Sequence, residues 1–245
     1  YNYKIPAAKA FANANKLNKI TINSSKASFG IISTGKAYLD TLQALNDIGI
    51  NKNNTEMTGI RLLKVGMPWP LEETIIKKFA AGLNKILVIE EKRPVIETQI
   101  KDQLFHWKTE IRPHIIGKLD QHGKAVFSSI GELNPSIIAR QIVQHINKSY
   151  NSVDMTRRIN FLDKKDKELK TIKQITQRLP YFCSGCPHNT STKVPEGSRA
   201  LAGIGCHYMA LWMDRKTSTF THMGAEGASW IGQAPFTDEN HIFVN

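Results

Sequence analysis

Long apolar runs are missing: nowhere in the 245 residues do about eighteen apolar residues follow one another, so no membrane-spanning helix is expected. The opening, Tyr1-Asn2-Tyr3-Lys4-Ile5-Pro6-Ala7, lacks both an initiator methionine and the apolar core of a secretion signal. Cysteine is scarce as well. Cys183, Cys186 and Cys206 form an odd set within one quarter of the chain, which excludes the paired framework of a small secreted protein and points to a reducing, cytoplasmic compartment. Acidic residues are few, 21 against 33 Lys and Arg, giving a formal charge of +12. That excess is spread along the chain, and no basic face interleaves with exposed aromatics, so nucleic acid is not an expected partner. The densest basic stretch, Arg157 to Arg178, alternates its signs (Asp163-Lys164-Lys165-Asp166-Lys167-Glu168) and reads as a solvated helix face.

What is present is the composition of a globular protein, 41% hydrophobic and 22% charged, at a length that can bury a core without staples. From Ser28 to Glu90 short apolar runs alternate with helical periodicity. Phe29-Gly30-Ile31-Ile32-Ser33, Arg61 to Val65 and Lys85 to Glu90 read as strands. Between them the spacing predicts a helix over Thr34 to Ile48 burying Tyr38, Leu39, Leu42 and Leu45. A second is expected from Pro70, burying Leu71, Ile75, Ile76 and Phe79, and a third from Pro94, burying Val95, Ile96, Ile100 and Leu104. Such alternation predicts an α/β fold with a parallel sheet wrapped by helices. Lys108 to Gly131 reads as a closing strand with an irregular connection, and Asn134-Pro135-Ser136 starts a helix facing inward through Ile137, Ile138, Ile142, Val143 and Ile146. Residues 149–177 are charged and poor in large apolar side chains, so a linker is expected there, with a second domain over 178–245.

Several motifs have more than one reading. Gly30-Ile31-Ile32-Ser33-Thr34-Gly35-Lys36-Ala37 has the skeleton of a phosphate loop, but Ala37 stands where a magnesium-holding hydroxyl belongs. A tight strand-to-helix turn is the expectation. Cys183-Ser184-Gly185-Cys186-Pro187-His188 can bind a soft metal or cycle as a dithiol. Cys206, in Gly203-Ile204-Gly205-Cys206-His207, adds a third sulfur; His188, His207 and His222 could each complete a zinc site. A zinc-stabilised Cys/His module, with nucleic acid as its conceivable partner, is therefore the alternative to an enzyme. Thr221-His222-Met223-Gly224-Ala225-Glu226-Gly227-Ala228-Ser229-Trp230 is a glycine-punctuated loop after the strand-like Ser218-Thr219-Phe220; such glycines let backbone approach a ligand, or serve an ordinary turn.

Longer stretches carry a resemblance. Tyr181-Phe182-Cys183-Ser184-Gly185-Cys186-Pro187-His188-Asn189-Thr190-Ser191-Thr192, Gly203-Ile204-Gly205-Cys206-His207-Tyr208 and Trp230-Ile231-Gly232-Gln233-Ala234-Pro235-Phe236 resemble the large fused indolepyruvate ferredoxin oxidoreductases of bacteria. Lys64-Val65-Gly66-Met67-Pro68-Trp69-Pro70 and Val88-Ile89-Glu90-Glu91-Lys92-Arg93 extend it over nearly the whole chain.

The resemblance implies oxidative decarboxylation of a 2-oxoacid on thiamine diphosphate and Mg2+, with electrons passing to ferredoxin, the acyl group to coenzyme A, and a homodimeric enzyme. It also implies a domain order: residues 1–22 the tail of a preceding segment, 23–148 a transketolase-C-terminal-like domain, 149–177 the linker, and 178–245 the first part of an incomplete thiamine-diphosphate-binding domain. Cofactor-binding residues are then expected at Cys183, Gly185, Cys186, Gly205, Cys206, His207, His222, Gly224, Glu226 and Gly227. Cys183, Cys186 and Cys206 resemble three ligands of a 4Fe-4S cluster, or merely shape the pocket. The glutamate that activates thiamine belongs to an earlier domain, so Glu90 and Glu91 are not expected to take that role. Both ends read as cuts, with a Gly-Asp-Gly magnesium motif expected beyond Asn245.

Overall fold

The computed structural model describes residues 1–51, 54–146, 152–171 and 178–239, together with the backbone of a strand at His241–Phe243. It divides into two compact units, residues 1–171 and 172–245.

The first unit runs α1 (Lys4–Ala14), β1 (Lys19–Asn23), β2 (Phe29–Thr34), α2 (Gly35–Asp47), α3 (Thr55–Thr58), β3 (Ile60–Val65), α4 (Glu73–Ala80), β4 (Lys85–Ile89), α5 (Val95–Leu104), β5 (His114–Ile116), α6 (Pro135–His145) and α7 (Val153–Thr171). Its sheet has the order β1-β3-β2-β4-β5. The expected central strands pair in parallel, Ile31 opposite Leu62 on one side and Leu87 on the other.

Strand alternation sorts the core onto two faces. Phe29, Ile31, Leu62, Leu87 and Ile89 pack with Ala37, Leu45, Ile138 and Ile142 of α2 and α6. Ile32, Leu63, Val65, Ile86 and Val88 pack with Ile76, Phe79, Ile96 and Ile100 of α4 and α5. The crossover from β2 to β3 runs one way with α2 on the first face. The crossover from β3 to β4 runs back with α4 on the second, so both keep one hand, as parallel sheets require.

Several expectations need correction. The predicted tail over 1–22 contains α1 and most of β1; β1 is an antiparallel edge strand on β3, with Ile20 opposite Leu63. Leu39 and Leu42 face outward; α2 buries Ala37, Tyr38, Thr41, Ala44 and Leu45 instead, because the helix rests on its small residues against α6. Val95 likewise faces outward. The helix expected from Pro70 begins at Glu73: Glu72 caps it, its carboxylate accepting from the Thr74 and Ile75 N–H groups at 2.7 and 3.0 Å, which satisfies two donors a helix start leaves open. Within the stretch expected to be a linker, α7 buries Met155 and Leu162 on the first unit, and Arg140 of α6 reaches Asp163 and Asp166 at 3.1 and 2.6 Å. The remainder of that stretch, 149–151 and 172–177, lies outside the described residues.

The second unit is small. It holds α8 (His188–Ser191), β6 (Arg199–Ala202), a 3₁₀ segment (Gly205–Trp212), β7 (Thr217–Phe220), α9 (Ala228–Gln233) and β8 (His241–Phe243). Its sheet, β7-β6-β8, is parallel throughout. The α/β expectation therefore holds for both units.

Candidate functional site

In an open parallel sheet, ligands sit beyond the carboxyl ends of the strands, where loops supply free backbone N–H groups. In the first unit the charged side chains at that rim pair with one another. Lys36 Nζ, the lysine of the phosphate-loop skeleton, reaches Asp40 at 2.7 Å, Glu132 at 2.9 Å and the Leu133 carbonyl at 2.8 Å. Hydrogen bonds that its ammonium donates to the Asp40 and Glu132 carboxylates hold it protonated far above the usual lysine range. Gly30 is a packing residue: an added Cβ would lie 2.5 Å from Leu83 Cδ1 and 2.8 Å from Phe79 Cζ. Gly35, at φ +52°, makes the turn. Glu90 is buried, and its carboxylate accepts from the Ile96 and Glu97 N–H groups at 2.8 and 3.0 Å; burial raises its pKa. It caps α5.

In the second unit the same rim is open. β6 and β7 are parallel neighbours, so the segments that follow them emerge side by side. After β6 come Gly203-Ile204-Gly205-Cys206-His207, and after β7 come Thr221 to Gly227. The β7 loop is braced from within: Thr221 Oγ1 donates to the Ala225 carbonyl at 2.5 Å, and the Glu226 carboxylate accepts from the Gly224 N–H at 2.9 Å. Gly224 and Gly227 take φ +87° and +76°, which other residues adopt only under strain. An open cavity of about 570 Å³ lies against this loop, lined by Leu201, Gly224, Glu226, Gly227, Trp230 and Ile231 among others. His222 is solvent-exposed at its start, and its carbonyl accepts from the Ala225 N–H.

The Cys-x-x-Cys turn joins the β6 rim through two imidazoles. His188 stacks on buried Phe182 with centroids 5.2 Å apart, places Nδ1 3.2 Å from Cys186 Sγ, and lies 5.9 Å from the His207 ring. His207 is 2% exposed, and its Nδ1 accepts from the Gly203 N–H at 2.7 Å. A backbone N–H can only donate, so the neutral ring carries its proton on Nε2. That Nε2–H has no hydrogen-bond partner among the described residues. Sequence reading named His207 but not this role; a buried donor is invisible until burial is known.

Desolvation, then the charge of His188, pushes the His207 pKa below its ordinary value. The folded unit thus binds fewer protons than the unfolded chain between the folded pKa and about 6.5. Stability from this residue is present above about pH 6.5 and is lost as pH falls through the folded value. Unfolding of the second unit, followed by amide exchange, should accelerate over that window, and His207→Asn should flatten the dependence. An unchanged profile in that variant refutes the assignment.

The three sulfurs are not gathered. Cys183 and Cys206 are exposed and Cys186 half-buried, and among the described residues no three Cys, His, Asp or Glu side chains form a group able to hold a metal. Among the described residues the three cysteines form no such group.

A model of the indolepyruvate ferredoxin oxidoreductase middle domain matches residues 18–173. The chain belongs to the indolepyruvate ferredoxin oxidoreductase family. The matched span opens one residue before β1 and closes two beyond α7, so it coincides with the sheet and last helix of the first unit. Two proteins called indolepyruvate oxidoreductase subunit IorA are similar to it. That of Pyrococcus horikoshii is 29% identical over 78% of this chain and 27% of its own length. That of Thermococcus kodakarensis is 28% identical over 88% and 32%. The chain thus spans about a third or less of these relatives. Among solved structures, a 2-oxoglutarate:ferredoxin oxidoreductase from Magnetococcus marinus is similar over 60% of this chain and 23% of that one, at 16% identity and a TM-score of 0.34, too distant to inform the site. Within this indolepyruvate ferredoxin oxidoreductase family member, the open rim of the second unit is the candidate site.

Proposed function

We propose that this chain is part of a thiamine-diphosphate-dependent enzyme that oxidatively decarboxylates a 2-oxoacid, an aryl acid such as indolepyruvate foremost, forming an acyl-CoA and reducing ferredoxin. The observation that carries the reading is the pair of glycine-rich segments following β6 and β7 on one rim, with a cavity of about 570 Å³ against the β7 loop. Family membership and the names of the relatives support the reaction class. In this reading the first unit, from β1 through α7, contains the transketolase-C-terminal-like domain and residues 178–245 contribute to thiamine diphosphate binding. Mg2+, coenzyme A, ferredoxin and a homodimeric, cytoplasmic enzyme belong to the same proposal.

The rim fits the cofactor's diphosphate end. An added Cβ at Gly205 or Gly224 would meet nothing within 4 Å, so a ligand can come against bare backbone. The cavity volume lies within the range of about 300–1,000 Å³ usual for small-molecule sites. When bound, thiamine diphosphate supplies the electron sink for decarboxylation. This chain's own part is placement. Gly224 and Gly227 give clearance, Glu226 holds the β7 loop in its turn, and the exposed His222 is assigned a hydrogen bond to cofactor or substrate. Cys183, Gly185 and Cys186 on their turn, and Gly205, Cys206 and His207 after β6, adjoin each other through the His188 and His207 rings and are assigned to the same cofactor-binding region. A zinc module has no observation in its favour.

Titration of the chain with Mg2+ and thiamine diphosphate should quench the fluorescence of Trp230, with a Kd of about 1 mM or tighter, equivalent to roughly 4 kcal/mol. Gly224→Val should abolish the quench, because its side chain enters the cavity and valine at φ +87° strains the β7 loop that shapes it. Retention of binding by that variant sinks the reading.

A further inference from the structure

The Cys183 turn departs from the ligand set that the family resemblance implies, and its geometry points elsewhere. The Cys186 N–H donates to the Cys183 carbonyl at 3.0 Å, closing a four-residue β-turn, with Gly185 at φ +76° in its third position. Asn189 Nδ2 donates to the same carbonyl at 3.0 Å and fixes the turn to α8. The first and last Cα atoms of a β-turn lie within about 7 Å, overlapping the span of roughly 4.4–6.8 Å that a disulfide bridges. Cys183 is exposed, and Cys186 is half-buried with His188 Nδ1 at 3.2 Å from its sulfur.

We propose that Cys183 and Cys186 are a peroxide-oxidisable dithiol, Cys186 the attacking sulfur, Cys183 the resolving one and His188 the base. Cys186 gives its thiol proton to His188 Nδ1 and attacks one peroxide oxygen. An S–O bond forms as the O–O bond breaks, and the departing hydroxide takes the proton back from His188 and leaves as water. The Cys183 thiol then attacks the sulfenic sulfur; the S–S bond forms, the S–O bond breaks, and a second water leaves with the Cys183 proton. Two thiols are oxidised by two electrons, and one peroxide is reduced to two waters. Cys206, on the segment after β6, lies outside this turn and is a bystander.

The proposal is independent of cofactor binding, so the two readings fail separately. The reduced chain is treated with one equivalent of hydrogen peroxide, digested with trypsin, and examined by mass spectrometry over the peptide 179–193. Loss of two hydrogens there, reversed by dithiothreitol, with Cys206 still alkylatable, is the expected result. Cys183→Ser should leave a sulfenic acid on Cys186 that dimedone traps. His188→Ala should slow disulfide formation by about tenfold or more, the scale of a lost general base, without changing Cys206 alkylation. The proposal is overturned if Cys183 and Cys186 stay reduced while Cys206 oxidises. It is equally overturned if anaerobic ferrous iron and sulfide build a cluster on the chain whose assembly requires all three cysteines.

Discussion

Phe79→Ala should destabilise the first unit by about 3–5 kcal/mol, the cost of emptying a large aromatic site in a core that cannot collapse. Phe79 is fully buried on α4 and packs among Ile32, Leu63, Leu83 and Val88 between helix and sheet. Its ring also lies over Gly30, the second residue of β2, where a Cβ would stand 2.8 Å from Cζ. Glycine is accepted there because Leu83 Cδ1, at 2.5 Å from an added Cβ, and the aromatic ring together occupy the space. It follows that Gly30→Ala is itself destabilising, by about 1–3 kcal/mol from overpacking. The two substitutions should couple: Gly30→Ala costs less in the Phe79→Ala background, since removing the ring relieves its share of the crowding and lets Leu83 move aside. Urea unfolding of the four proteins measures the cycle. Simple additivity would show that the ring and the glycine are not in contact.

Gly66→Ala should cost about 1–3 kcal/mol as well, but through backbone rather than side chain. An added Cβ would lie 2.4 Å from the Leu17 carbonyl oxygen, which cannot swing away as a side-chain end can. The approach is held by Asn18, whose Oδ1 accepts from the Gly66 and Met67 N–H groups at 2.9 and 3.1 Å. Relief therefore requires β1 to part from β3, and amide exchange should rise at Ile20 and Ile22 before it rises in β2 or β4. Uniform loss of protection across the sheet would contradict this.

The Gly66 contact also explains what the sequence leaves hidden. β2, β3 and β4 are legible because strands covered on both faces read as unbroken apolar runs. β1, Lys-Ile-Thr-Ile-Asn, is a half-buried edge whose alternation is too short to separate from a tail, and Asn18 betrays its docking only in three dimensions. The outward turn of Leu39 and Leu42 had no signal, because α2 is placed by Ala37, Thr41 and Ala44, residues that hydrophobicity counts weakly. The helix 153–171 was legible as a charged face but not as part of the first unit, since only Met155 and Leu162 anchor it to the core. In the second unit the glycine-rich segments were legible from composition, and the parallel pairing of β6 with β7 brings them to one rim. The spacing of the cysteines, by contrast, says nothing about where their sulfurs point.

Backbone amide NMR of the chain, titrated with Mg2+ and thiamine diphosphate, tests the central claim most directly. Shifts confined to 203–207 and 222–228, with the first unit unperturbed, are the expected result. Shifts centred instead on Gly35, Lys36 and Glu91, or no shift at millimolar cofactor, would contradict the placement of the site on the β6–β7 rim.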